Sequence, residues 1–240
     1  MLRIFFIISV VFITSAIASG TEFTQRFNAK EGFTLKLPDK WVRIPGEILD
    51  EHSRKLQQSS PDEERPAYDY GFQLFNAGHW LECPYILIRI NKTGRIPEDK
   101  IKKLTREKDG SQPIKEKISG IPNTEVEDIL YDPDDHTLWM TFLADAEKVR
   151  GLVATKLTQE GCIQIVCYSI DQDFPEYRRL FEDIVKNIYL SKDLEYRSRI
   201  TDSIPIISQV DFQKFFSHVF TSALLIGAIW LLLKRIKKRS

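Results

Sequence analysis

The stretch EGFTLKLPDKWVRIP, Glu31 to Pro45, decides how the rest of the chain is read. Phe33, Leu35 and Leu37 alternate with Thr34 and Lys36, the period of a strand with one apolar face. Pro38 ends the pairing because it has no N–H to donate. The turn Pro38-Asp39-Lys40 brings Trp41 back over the apolar face, and Pro45 suits a first helical turn. Ile44, Ile48, Leu49, His52 and Leu56 then recur at helical spacing, which makes His52 a packing residue on the inward or flanking face. A strand and a helix with facing apolar surfaces begin a layered domain.

Working outward, strands are expected around Tyr68 to Phe75 and in PYILIRI, Pro84 to Ile90. Pro97 to Lys108 reads as a charged helix with Ile101 and Leu104 inward, stopped by Gly110. TEVEDILY, DPDDHT and LWMTFLA read as strand, turn and strand, and VRGLVATKL, TQEG and CIQIVCYSI repeat the arrangement. In FPEYRRLFEDIVKNIYL a closing helix gathers Phe174, Tyr177, Leu180, Phe181, Ile184, Val185 and Ile188 on one broad face. The expected fold is α+β, a mainly antiparallel sheet covered by helices, over residues 19–190.

Gly32-Phe33, the alternating strand, Pro38, Trp41, a helix, a Pro84-initiated strand, a helix, two hairpins and a Phe-rich closing helix together resemble the Mog1/PsbP-like fold, which includes the DcrB-like bacterial envelope proteins. The resemblance spans roughly residues 21–190, and its sharpest motif is GF...LP..W. It implies a small binding or assembly module rather than an enzyme, and a bacterial envelope as the compartment. It carries over the fold and no ligand.

The two ends of the chain supply an address. Arg3, an apolar run from Ile4 to Ile17 and the small-x-small pattern Ala16-Ile17-Ala18 read as a signal peptide, residues 1–18. No cysteine stands near the cleavage site, so a lipid anchor there has no support. Phe215 to Leu233 are nineteen residues without a formal charge, about 28 Å of helix against a hydrocarbon core of about 30 Å. Eleven of them are Leu, Ile, Val or Phe, together worth about −3 to −7 kcal/mol of insertion. The expected transmembrane helix is 214–234, preceded by a stalk at 191–213 and followed by a basic cytoplasmic tail at 235–240. By the positive-inside rule the globular domain lies outside the cytoplasm. The resemblance makes the bacterial inner membrane the preferred location. Ala223 and Gly227 form a small-xxx-small pair through which two spans would self-associate.

Formal net charge is zero, but residues 19–213 hold 27 Lys and Arg against 34 Asp and Glu, a net of about −7. Nucleic-acid binding, which draws its energy from Lys and Arg on phosphates, is excluded as the function of such a domain.

Candidate chemistry is sparse. Cys83, Cys162 and Cys167 include no C-x-x-C. In a straight strand Cys162 and Cys167 face opposite sides, so a disulfide would have to join Cys83 to one of them; otherwise all three are small buried hydrophobes. Asp132, Asp134, Asp135 and His136 crowd one loop and could be drawn as a cation site, although Pro and Asp also make a hairpin turn. His79 beside Trp80, with Glu82 nearby, resembles part of a catalytic set, yet no G-x-S-x-G or H-E-x-x-H accompanies it. Asn91-Lys92-Thr93 fits a glycan acceptor in a eukaryotic host. Topology without a catalytic motif points to a non-enzymatic module, free of metal and cofactor, that binds an envelope protein. The rival is a membrane-tethered hydrolase using His79, Glu82 or His136. The two differ in whether acid, base and nucleophile converge in one pocket.

Overall fold

A computed structural model describes residues 22–59, 67–76, 79–106, 124–144 and 148–199. The signal peptide, Gly110, the span 214–234 with Ala223 and Gly227, and the tail 235–240 lie outside them. Among the described residues no helix is long and apolar enough to cross a membrane.

In chain order the elements are β1 (Gln25–Asn28), β2 (Phe33–Leu37), β3 (Trp41–Arg43), α1 (Gly46–Ser59), β4 (Tyr70–Leu74), β5 (Tyr85–Asn91), α2 (Glu98–Arg106), β6 (Thr124–Asp132), β7 (Thr137–Ala144), β8 (Val149–Leu157), β9 (Cys162–Ile170), α3 (Phe174–Lys186) and β10 (Ile188–Leu190). They build two antiparallel sheets. One has the order β1-β2-β10, the other β3-β4-β5-β9-β8-β7-β6. The fold class is α+β with a mainly antiparallel sheet, as the sequence leads one to expect.

The opening stretch is a corner between the sheets. Phe33, Leu35 and Leu37 are buried on one face of β2, and Trp41, 2% exposed, starts β3 in the other sheet. Its indole meets Phe181 of α3 edge-on at 6.5 Å, a contact that adds about 1 kcal/mol to the burial of the rings. Gly32 has φ +93°, and its carbonyl accepts the Ser191 N–H at 2.8 Å. A Cβ there would lie 2.9 Å from Ser191 Oγ, so both the conformation and the close approach call for glycine.

Central strands of the large sheet are buried on both faces. Along β5, Tyr85 and Leu87 join a core beneath α1 and α2, while Ile86 and Ile88 join a core beneath α3 and the small sheet. Cys162 and Val166 of β9 enter the first core, and Ile165 and Cys167 the second. This two-sided burial explains why CIQIVCYSI is apolar almost throughout, each buried aliphatic contributing about 1.5–3 kcal/mol.

Two boundaries differ from the expectation. The closing helix ends at Lys186, where the Asn187 side chain donates to the Asp183 carbonyl at 2.9 Å. Ile188 therefore belongs not to the helix face but to β10, opposite Leu35 of β2, and stays buried in the same core. Nor does the fold stop at Leu190. Residues 191–199, expected as the start of a stalk, lie packed on the domain with Leu194 and Tyr196 buried.

Candidate functional site

α2 contacts β6 and sets Glu98, in its first turn, under that strand. Glu98 is 8% exposed, and its carboxylate accepts from Lys102 Nζ at 2.9 Å, Ser198 Oγ at 3.0 Å and Tyr131 Oη at 3.1 Å. Tyr131 Oη is also 3.2 Å from His136 Nδ1. The phenol has one proton and the carboxylate takes it, so Nδ1–H of His136 donates to the phenol oxygen, a tautomer assigned from the network. Burial alone would raise the Glu98 carboxyl, but the hydrogen bonds from Lys102, Ser198 and Tyr131 outweigh it and hold the group below its ordinary value. Burial, then the Glu98 charge, pushes the Tyr131 phenol far up.

This cluster fastens a strap. Glu195 bridges to Thr158, and Gln159 N–H donates to the Leu194 carbonyl at 3.1 Å. Tyr196 Oη donates to the Ile96 carbonyl at 2.7 Å, its ring leans on His136 at 4.7 Å, and the Arg95 guanidinium lies over it at 4.6 Å. Arg95 also donates to the Arg197 carbonyl at 2.7 Å. Ser198 adds the bond to Glu98. Glu98, Tyr131, Tyr196 and Ser198 were not singled out from sequence. The signal that marks the strap is the alternation of Leu194 and Tyr196 with Glu195 and Arg197.

The chemistry of the cluster follows from who holds which proton. Ser198 donates to a Glu98 carboxylate oxygen and not to the imidazole, and that carboxylate, held below its ordinary value, is a weak base toward a hydroxyl. Beside His136 a cavity of about 340 Å³ reaches Lys156, which is 5% exposed and ion-paired to Asp135. The acidic loop forms a hairpin turn: Asp132 Oδ1 accepts the N–H of Asp134 at 3.0 Å and of Asp135 at 3.4 Å, and Thr137 Oγ1 donates to Asp135 Oδ2 at 2.9 Å.

His79 and Glu82 sit elsewhere, on the connection between β4 and β5. His79 Nδ1 is 3.7 Å from Glu82 Oε1, and Asn76 Nδ2 donates to Glu82 Oε2 at 2.8 Å. Both residues are open to solvent. The buried Gln73 shapes the loop, donating to the His79 carbonyl and accepting from Leu81 N–H, each at 2.7 Å. Along β5 the loop is at the Tyr85 end. His136 is near the Asn91 end, since its carbonyl accepts from Leu157 and Leu157 lies in register with Cys162 and Asn91. Six residues of strand, about 20 Å, separate the two places. The sequence candidates do not converge.

The remaining candidates are structural. No disulfide joins the cysteines. Asn91 stands opposite Cys162 in register, eight residues, about 27 Å of strand, beyond Cys83, which rules out that pairing. Burial pushes the Cys162 thiol up to about 12 and the Cys167 thiol higher still. Asn91 is a ladder residue whose Nδ2 faces Cys162 Sγ at 3.8 Å, turned away from the role of glycan acceptor. His52 is buried, as its helical position implies. A groove of about 610 Å³ runs between α3 and the β6–β7 hairpin, floored by Leu130, Trp139 and Leu152 and walled by Arg178, Glu182 and Lys186.

No protein-family model matches the chain, and no curated protein matches it. Among solved structures, the solution structure of cyanobacterial PsbP (CyanoP) from Synechocystis sp. PCC 6803 aligns with a TM-score of 0.40 at 10% identity, covering 70% of this chain and 92% of that one.

Proposed function

We propose that the chain is a single-pass, membrane-anchored binding or assembly module with a Mog1/PsbP-like head outside the cytoplasm of a bacterial cell, and that it has no catalytic chemistry of its own. Separation of the reactive groups carries this reading. His79 and Glu82 are at one end of the sheet and His136 at the other, and the acid, hydroxyl and phenol around His136 are hydrogen-bonded to one another in holding the strap. The groove beside α3, with Leu130 exposed on its floor, is the surface we assign to an envelope protein partner.

Affinity capture of the tagged full-length protein from detergent, run beside a version lacking residues 214–240, tests it. A partner recovered with both versions and lost on Leu130→Arg is the expected result. Hydrolysis of ester or peptide substrates by the purified protein, abolished by His136→Ala or His79→Ala, would replace the binding module with an enzyme.

A further inference from the structure

Glu31 and Arg43, near the two ends of the opening stretch, line one polar cavity of about 300 Å³ that also takes in Lys30 and Asp69. The corner between the sheets brings them together: β1 supplies Phe27, β3 supplies Arg43, and Asp69 directly precedes β4, which starts at Tyr70.

The cavity has two halves of opposite sign. Arg43 lies against two rings, its Cζ 5.1 Å from the Phe27 centroid and 5.2 Å from that of Tyr70, and the rings themselves meet edge-on at 4.9 Å. The aromatic pair flanks the guanidinium. Among the described residues no carboxylate pairs with it and no acceptor engages its N–H groups. Opposite, Glu31 accepts from Tyr70 Oη at 2.5 Å and has Lys30 Nζ at 3.8 Å. Asp69 accepts the Ile90 N–H at 2.7 Å. Burial raises the Asp69 carboxyl, the Ile90 hydrogen bond opposes this, and the Glu31 charge raises it further against Arg89 and Lys30.

Lys30, the cation beside Glu31, has a side chain 87% exposed, whereas Arg43 shares the cavity with Glu31 and Asp69 and pairs with neither, which leaves a gap for something to bridge. A planar guanidinium with its fork open suits a carboxylate or phosphate. Two carboxylates close enough for the Glu31 charge to raise Asp69 favour a cation between them. The volume, at the small end for ligand sites, suits a molecule of few heavy atoms. We propose that this cavity binds a small zwitterion with an ammonium and an oxyanion on a short spacer, the oxyanion on Arg43 and the ammonium between Glu31 and Asp69.

The test uses full-length protein, ¹⁵N-labelled at arginine, in a maltoside detergent with O-phosphoethanolamine as probe. A saturable shift of the Arg43 Nε–H signal is expected, with ethanolamine or inorganic phosphate alone binding at least about tenfold more weakly. Asp69→Asn keeps an acceptor for the Ile90 N–H and removes only the charge. It should weaken the probe about tenfold and leave phosphate unchanged, whereas Arg43→Gln should weaken both. In nanodiscs, a shift present with phosphatidylethanolamine and absent with phosphatidylglycerol assigns the zwitterion to a lipid headgroup, and a shift with the free probe alone assigns it to a solute. No saturable shift below about 50 mM, equal binding of the halves, or wild-type binding by both variants would overturn the site. Each of those results leaves the partner groove untouched.

Discussion

Gly151 of β8 lies directly opposite Phe142 of β7, and the ring of Phe142 covers it. A Cβ on residue 151 would stand 2.2 Å from Phe142 Cε1 and Cζ. Ordinary carbon contacts begin near 3.5 Å, so the ring would have to retreat by more than about 1 Å. It has nowhere to go: Phe142 is fully buried and its edge packs on Tyr168 at 6.0 Å. Gly151→Ala should therefore cost about 3 kcal/mol, the upper part of the usual overpacking range. For a domain of this size that lowers the unfolding midpoint by about 6–12 °C. The assay is thermal unfolding of the full-length protein in detergent, followed by tryptophan fluorescence, in a double-mutant cycle with Phe142→Leu. If the clash is the cause, Gly151→Ala costs less than about 1 kcal/mol once the ring is gone. A midpoint change below about 2 °C in the single variant, or an equal cost in both backgrounds, refutes the reasoning.

Two further perturbations test the buried polar groups. Burial first, and the Lys55 charge second, lowers the His52 imidazole from 6.5 to about 4. The unfolded chain then takes up a proton near pH 6.5 that the folded chain refuses until about pH 4, so stability should be level above pH 7, decline between those values by up to about 3 kcal/mol, and level off below. Urea titrations at several pH values should show a shallower decline for His52→Gln, and parallel profiles would remove the effect. Glu98→Gln leaves Lys102 without its counter-charge and weakens the bonds from Ser198 and Tyr131. Amide hydrogen exchange over residues 194–199 should quicken about tenfold or more, corresponding to one charge-assisted bond, with β9 unchanged. Equal protection of the strap in both proteins would mean that Glu98 does not hold it.

What could be read from the sequence was what repeats locally. Alternation in β2, the 3.6 period of α3 and the hairpin series β6 to β9 each span enough residues for a period to show, and each is present. β1, β3 and β10 are three or four residues long and hold their places only by pairing with partners far off in the chain, as Ile188 does with Leu35. The candidate site failed to show for the same reason. His136 was visible as one of four histidines, but its setting comes from Glu98, Tyr131, Tyr196 and Ser198, brought together from three separate segments: α2, β6 and the strap. A single sequence carries no period for such a meeting. The acidic loop was legible because an Asp side chain capping its own turn is a local event.

The strap also bears on how the head would hang from a membrane. On the proposed topology, residues 200–214 separate Arg199 from Phe215, a tether that spans at most about 50 Å when fully extended. Were residues 191–199 part of the tether, as first expected, the reach would grow by about 30 Å. On that topology Glu98, Tyr196 and Arg95 would set how far the head travels, and the exposed Trp80, at the other end of the sheet from His136, would report it. A spin label at Trp80 and paramagnetic lipid headgroups in the supporting bilayer measure this. Glu98→Gln combined with Tyr196→Ala should broaden the label-to-bilayer distances and shift them outward by tens of ångströms, toward the longer limit. An unchanged distribution, in a variant whose strap exchanges freely, would show that something other than the strap fixes the head.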